Sequence, residues 1–139
     1  MFDFEKLDVY QLVKDLNVKV LNYLSSSDLD DYFKNELRKS TLNIVLNLAE
    51  GTGRRTFSDK RYFYTRARSA VFESVALLDV LKTAGKVNET DYNEFYGLYE
   101  QASKMLLGMV KSFSGKGRRK REDNEESENY QEEENYNTY

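Results

Sequence analysis

An all-α fold, an antiparallel up-and-down four-helix bundle, is what this sequence predicts, and three observations carry the prediction. Proline is absent from all 139 residues, where an average chain of this length would carry about seven. Proline breaks helix interiors, so its absence fits a chain that is helical almost throughout. Apolar residues recur at steps of three and four in four separate segments, the period of a helix with a buried face. Between the segments stand short clusters of Ser, Asp, Gly, Thr and Asn, which cap helices and make turns. Helices of about 20–28 residues, roughly 30–42 Å long and joined by short turns, favour antiparallel neighbours.

The first helix shows Val9, Val13, Leu16 and Val20 on one stripe, with Leu12 and Leu24 beside it. The turn "SSSD", Ser25 to Asp28, ends it and offers caps for the second. That second helix is expected from about Asp28 to Glu50, with one stripe of Leu37, Thr41, Ile44 and Leu48 and another of Leu42, Leu46 and Ala49. Only the line Glu36, Lys39, Asn43, Asn47 and Glu50 is polar, so this helix should be buried on most of its circumference. Gly51 and Gly53 follow where a helix C-terminus usually places glycine.

Thr56 or Ser58 caps the third helix, whose seam reads Phe63, Ala67, Ala70, Ser74, Leu77, Leu81 and Ala84, with Gly85 as its stop. Asn88 or Thr90 caps the fourth. There Tyr92, Phe95, Tyr99, Ala102, Leu106, Met109 and Phe113 alternate steps of three and four, a heptad seam of the kind helix bundles use. The bundle domain is therefore expected over residues 1–114. Residues 115–139 have no apolar period and hold five basic residues, Lys116 to Arg121, followed by eight acidic ones. Such a composition predicts a disordered tail.

Charge and composition narrow the chemistry. The formal charge of −3 belongs to the tail, because residues 1–114 hold 16 basic and 16 acidic side chains. The chain has no histidine and no cysteine. A di-iron site of the Glu-x-x-His type, a Ser-His-Asp triad and a thiolate metal site therefore cannot be built. Glu50 and Glu73 stand outside any spaced acidic cluster, so no metal, no cofactor and no enzymatic activity are expected. The start "MFDFEKLDVY" lacks a signal-peptide apolar region, and no apolar run approaches the ~20 residues that span a bilayer. The expectation is a soluble cytoplasmic protein.

The stretch "AEGTGRRT" fits neither a Walker loop nor a dinucleotide fingerprint, since its glycines follow a helix rather than a strand. A helix cap and tight turn is the plainer reading. The basic residues beyond it have two readings. Arg54, Arg55, Lys60, Arg61, Arg66 and Arg68 fall within fifteen residues that contain one acid, Asp59, with Tyr62 and Tyr64 interleaved. Basic charge among aromatics suits phosphate contacts and base stacking, which makes Arg54, Arg55, Lys60, Arg61 and Arg68 candidate nucleic-acid contacts. The other reading is a solvated face whose arginines pair with neighbouring acids. The line Asn43, Asn47 and Glu50 likewise either faces a partner or joins Glu73 and an arginine in a buried hydrogen-bond network. Surplus aromatics at Tyr92, Phe95, Tyr96 and Tyr99, with Gly97 and Gly108 on one helix face, are consistent with self-association.

"FEKLDVYQLVKDL" and "ELRKSTLNIVLNLAEGTGRRT" resemble the four-helix-bundle proteins encoded in intervening sequences of bacterial 23S ribosomal RNA genes. The match runs through Leu37, Arg38, Ile44, Asn47, Ala49, Glu50, Gly51, Gly53 and Arg54, and continues at Ser69 and Glu73 of "RSAVFES". Lys39, Ser40, Asn43 and Arg68 depart from the family pattern, the usual proline-containing turn is missing, and the acidic tail lies outside it. The resemblance implies a ring-shaped homopentamer associated with ribosomal RNA or ribosomes, without known catalysis. A related branch, the accessory proteins of diversity-generating retroelements, binds a reverse transcriptase. It supplies the alternative expectation of a protein-interaction scaffold.

Overall fold

The computed structural model describes residues 1–114; the expected tail, 115–139, lies outside the described residues. A short 3-10 turn, Asp3–Lys6, precedes four helices: α1 Asp8–Ser25, α2 Asp31–Thr52, α3 Phe57–Thr83 and α4 Glu89–Ser112. Each helix packs on its neighbours in the chain, and α4 closes against α1. That is the up-and-down four-helix bundle.

The helix boundaries follow local chemistry. Asp30, in extended backbone (φ −56°, ψ 143°), precedes α2, which therefore starts three residues later than expected while Leu29 turns into the core. Thr56 caps α3 by accepting the Asp59 N–H, and Asn88 caps α4 by accepting the Asp91 N–H at 2.8 Å. Gly85, at φ +74°, ends the α3 region in the left-handed conformation that only glycine adopts cheaply.

The core runs the length of the bundle. Val9, Val13, Leu16, Val20 and Leu24 of α1 meet Leu37, Ile44 and Leu48 of α2, and the expected α4 seam is buried from Tyr92 to Leu106. Two expectations are corrected. The α3 seam keeps Ala67, Ala70, Ser74 and Leu81 but is rotated part of a turn, so Tyr64, Val71 and Leu78 are buried with them, Phe63 and Leu77 are half-buried and Ala84 is exposed. The second α2 stripe is not enclosed either: Leu42 is 42% and Leu46 53% exposed. A four-helix bundle covers one stripe of each helix, which leaves a second apolar stripe facing outward.

Three helices are tied together by buried hydroxyls. Ser40 Oγ lies 2.7 Å from Ser74 Oγ, and Thr41 Oγ1 lies 3.4 Å from Ser74 Oγ and 2.7 Å from the Tyr99 hydroxyl. The Ser74 hydroxyl donates to the Ala70 carbonyl at 2.9 Å. One consistent pattern satisfies all four donors: Tyr99 to Thr41, Thr41 and Ser40 to Ser74, and Ser74 to Ala70. Burial pushes the Tyr99 phenol up to about 12, against the lowering effect of its hydroxyl partners.

Candidate nucleic-acid interface

The corner between α2 and α3 sets the positions of the basic residues. Gly51 sits inside the last turn of α2, where a Cβ would lie 2.6 Å from Cε1 and 2.9 Å from Cδ1 of Tyr64. Its role is close helix approach, whereas Gly53, at φ −82° and ψ −7°, occupies the C-cap position. The glycines of "AEGTGRR" therefore divide between packing and capping. Lys60 Nζ donates to the Thr52 carbonyl at 3.0 Å, placing positive charge on the negative end of the α2 dipole.

The arginines do not form a single cluster. Arg54 forms an ion pair with Glu50 and stacks its guanidinium 4.6 Å over the Phe63 ring, beside Phe4, Leu46 and Ala49. Arg61 and Arg68, seven residues apart, share a different face of α3. At 3.6 residues per turn, Phe63 lies about 160° around the helix from Arg61. Arg68 stacks 4.6 Å over Phe72 and borders Leu107 and Val110 of α4. Its Nε is buried and has no hydrogen-bond partner. Arg55 lies in the turn between these two sides. Arg66, further along, donates to the Tyr62 hydroxyl at 2.8 Å. Among the described residues, Arg55, Arg61 and Arg68 make no ion pair.

The α4 side of this face is also free of acids. Residues 101–114 contain Lys104 and Lys111 and no Asp or Glu, and the one acid of residues 57–72, Asp59, also lies about 160° around α3 from Arg61. Lys104 pairs with Glu100 at 3.1 Å and holds that carboxyl below its ordinary range. Arg61 and Arg68 thus share a side of α3 without an acid, and Arg68 borders an acid-free stretch of α4.

The expected polar quartet does not assemble. Asn47 Nδ2 donates to the Asn43 backbone carbonyl at 2.8 Å, Glu50 is exposed in its pair with Arg54, and Glu73 is exposed on α3. This line of α2 runs along the edge of its buried stripe, where water satisfies polar groups without a partner network. The buried polar cluster is instead Ser40, Thr41, Ser74 and Tyr99. Its signal was present in the sequence at Thr41, Ser74 and Tyr99, hydroxyl residues standing at seam positions, while Ser40 stood outside the expected stripes.

Elsewhere, an open groove of about 430 Å³ runs between α3 and α4, lined by Phe72, Val75, Ala76, Tyr92, Tyr96 and others, with Asp79 and Glu100 at its edge. Among the described residues no group of three acids could hold a metal ion, and no helix is long and apolar enough to cross a membrane.

Comparison with known proteins agrees with this architecture. No curated protein matches the sequence. A crystal structure from Bacteroides thetaiotaomicron, described as a protein of unknown function from the S23 ribosomal protein family, superposes with a TM-score of 0.71. It covers 74% of this chain and 98% of its own at 15% identity, which speaks to the fold alone. Residues 5–108 match the family described as "23S rRNA-intervening sequence protein". The chain belongs to that 23S rRNA-intervening sequence protein family.

Proposed function

We propose that the protein is a non-enzymatic, oligomeric, nucleic-acid-associated bundle of the cytoplasm, associating with ribosomal RNA or the ribosome through Arg55 of the turn and the Arg61–Arg68 face of α3. The observation that carries the reading is that these three guanidinium groups have no acidic partner among the described residues. An unpaired arginine keeps its full capacity for bidentate contact with phosphate. Arg54 and Lys60 are occupied at the corner, and on this reading they position the turn and add to its field. Repetition of the face around a homopentamer, the assembly implied by the resemblance, would multiply a modest charge into a strong one.

Fluorescence anisotropy with a 23S-derived RNA at two salt concentrations tests the reading. Replacing Arg55, Arg61 and Arg68 together with glutamate should weaken binding by at least about tenfold at low salt. It should also flatten the log–log salt slope by about 2–3, near one for each phosphate that an arginine no longer neutralises. Unchanged affinity and slope in a variant with unchanged helicity would retract the assignment.

A second reading has its own support. The α3/α4 groove is apolar and aromatic with an acidic edge, and residues 1–114 are neutral overall, whereas dedicated RNA binders are usually basic. On that reading the bundle is a scaffold for a protein partner such as a reverse transcriptase. Pull-down with a Tyr96→Asp variant as control, which alters the groove and leaves the Arg68–Phe72 stack intact, separates the two.

A further inference from the structure

We infer that the acidic segment of the chain's own C-terminus, Glu122 to Glu134, docks on the Arg61–Arg68 face and competes there with nucleic acid. The inference rests on the nucleic-acid reading for its consequence, but the docking itself stands on separate observations.

The first observation is where the described chain ends. The Phe113 ring packs edge-on against Phe57 at 5.0 Å and tilted against Tyr64 at 5.7 Å. Phe57, Arg61, Tyr64 and Arg68 follow one another at steps of four, three and four on α3, so they form a single stripe. Phe113 thus delivers the chain onto the stripe that carries both arginines. One turn earlier, Val110 borders Arg68 directly.

The second observation is charge. The face holds Arg61 and Arg68 without acidic partners among the described residues. The adjoining part of α4 carries only basic charge. Eight carboxylates, at 122, 123, 125, 126, 128, 132, 133 and 134, follow with no intervening base. They are the densest negative charge in a chain whose described part is neutral.

The third is reach. Seven residues, 115–121, separate the described chain from Glu122, and seven residues extend to at most about 24 Å. Arg61 and Arg68 lie about 10 Å apart along α3. Both fall within range, and a tether of this length gives an effective concentration in the millimolar range. The basic block Lys116 to Arg121 is repelled by the same face, so the acidic block beyond it is the part that settles there.

The test uses the full-length protein and a full-length variant in which all eight carboxylates become amides (E122Q, D123N, E125Q, E126Q, E128Q, E132Q, E133Q and E134Q). Amide chemical shifts of residues 57–72 and 107–113 report docking without any RNA. They should differ between the two proteins at low salt and converge at high salt. A single-stranded RNA 20-mer should then bind the variant about three- to tenfold more tightly, the factor a tethered competitor imposes when its effective concentration is about two- to ninefold above its own Kd for the face. Identical shifts at low salt overturn the docking, including the case in which the acids pair only with Lys116 to Arg121. Differing shifts with equal RNA affinity overturn the competition. Differing shifts with no RNA binding by either protein leave the docking standing and retract the nucleic-acid reading.

Discussion

Gly51 shows how one residue fixes the corner on which the basic face depends. Its missing Cβ is the space into which the Tyr64 ring fits, with Phe63 Cβ at 3.1 Å on the same side. Tyr64 is itself held by burial and by Phe113, so it cannot swing away freely. An alanine at this position would have to displace a packed ring, and overpacking of this kind costs about 1–3 kcal/mol. Gly51→Ala should therefore lower the urea midpoint by that equivalent. Gly97→Ala, which meets nothing within 4 Å, should be neutral or stabilising through helix propensity. If the two variants unfold alike, the close-approach role of Gly51 is wrong.

At the scale of the helices, what was legible in the sequence was whatever depends on period. Thr41, Ser74 and Tyr99 were placed correctly in their seams because spacing alone puts them there. The rotation of α3 was not legible, since residues 57–84 carry apolar or aromatic side chains nearly all round and several seams fit equally well. The wrong polar network has a related cause. Asn and Glu look like network builders in one dimension, yet burial selects the small hydroxyls that fit between close helices. The Ser40–Thr41–Ser74–Tyr99 cluster joins α2, α3 and α4, and that connection has a pH signature. An ordinary phenol titrates near 10.0, while burial holds Tyr99 protonated to about 12. Between those values the unfolded chain releases a proton that the folded chain keeps, so stability falls as pH rises. The loss from Tyr99 should approach about 2–3 kcal/mol by pH 12 and be absent below pH 10. Urea unfolding at pH 9 and pH 11.5 should show a steeper drop for the native protein than for Tyr99→Phe. Equal drops would place the titration elsewhere.

For the whole molecule, the question is what covers the apolar surface the bundle leaves outside. Leu42 and Leu46 lie one turn apart on α2, and Val18 and Leu21, 50% and 40% exposed, lie one turn apart on α1. On the opposite side of the bundle, the groove between α3 and α4 is lined by Phe72, Val75, Tyr92 and Tyr96. Two different apolar faces on opposite sides fit a head-to-tail contact, and such contacts close into rings when the rotation between copies allows it. Self-association is the economical reading, since the face and the groove are then each other's partners. Each of these leucines, already about half-covered, contributes about 0.7–1.5 kcal/mol when a contact buries the rest, and tenfold in affinity corresponds to about 1.4 kcal/mol. Replacing Leu42 and Leu46 together with glutamate should therefore weaken each contact by at least about tenfold while leaving the core stripe Leu37, Ile44 and Leu48 untouched. Light scattering should find a closed oligomer for the native protein and a folded monomer for the variant. RNA affinity should fall with the oligomer, because separate copies lose the repeated Arg61–Arg68 face. A native protein that is monomeric at high micromolar concentration would refute the ring, and the exposed leucines would then belong to a contact with a different protein.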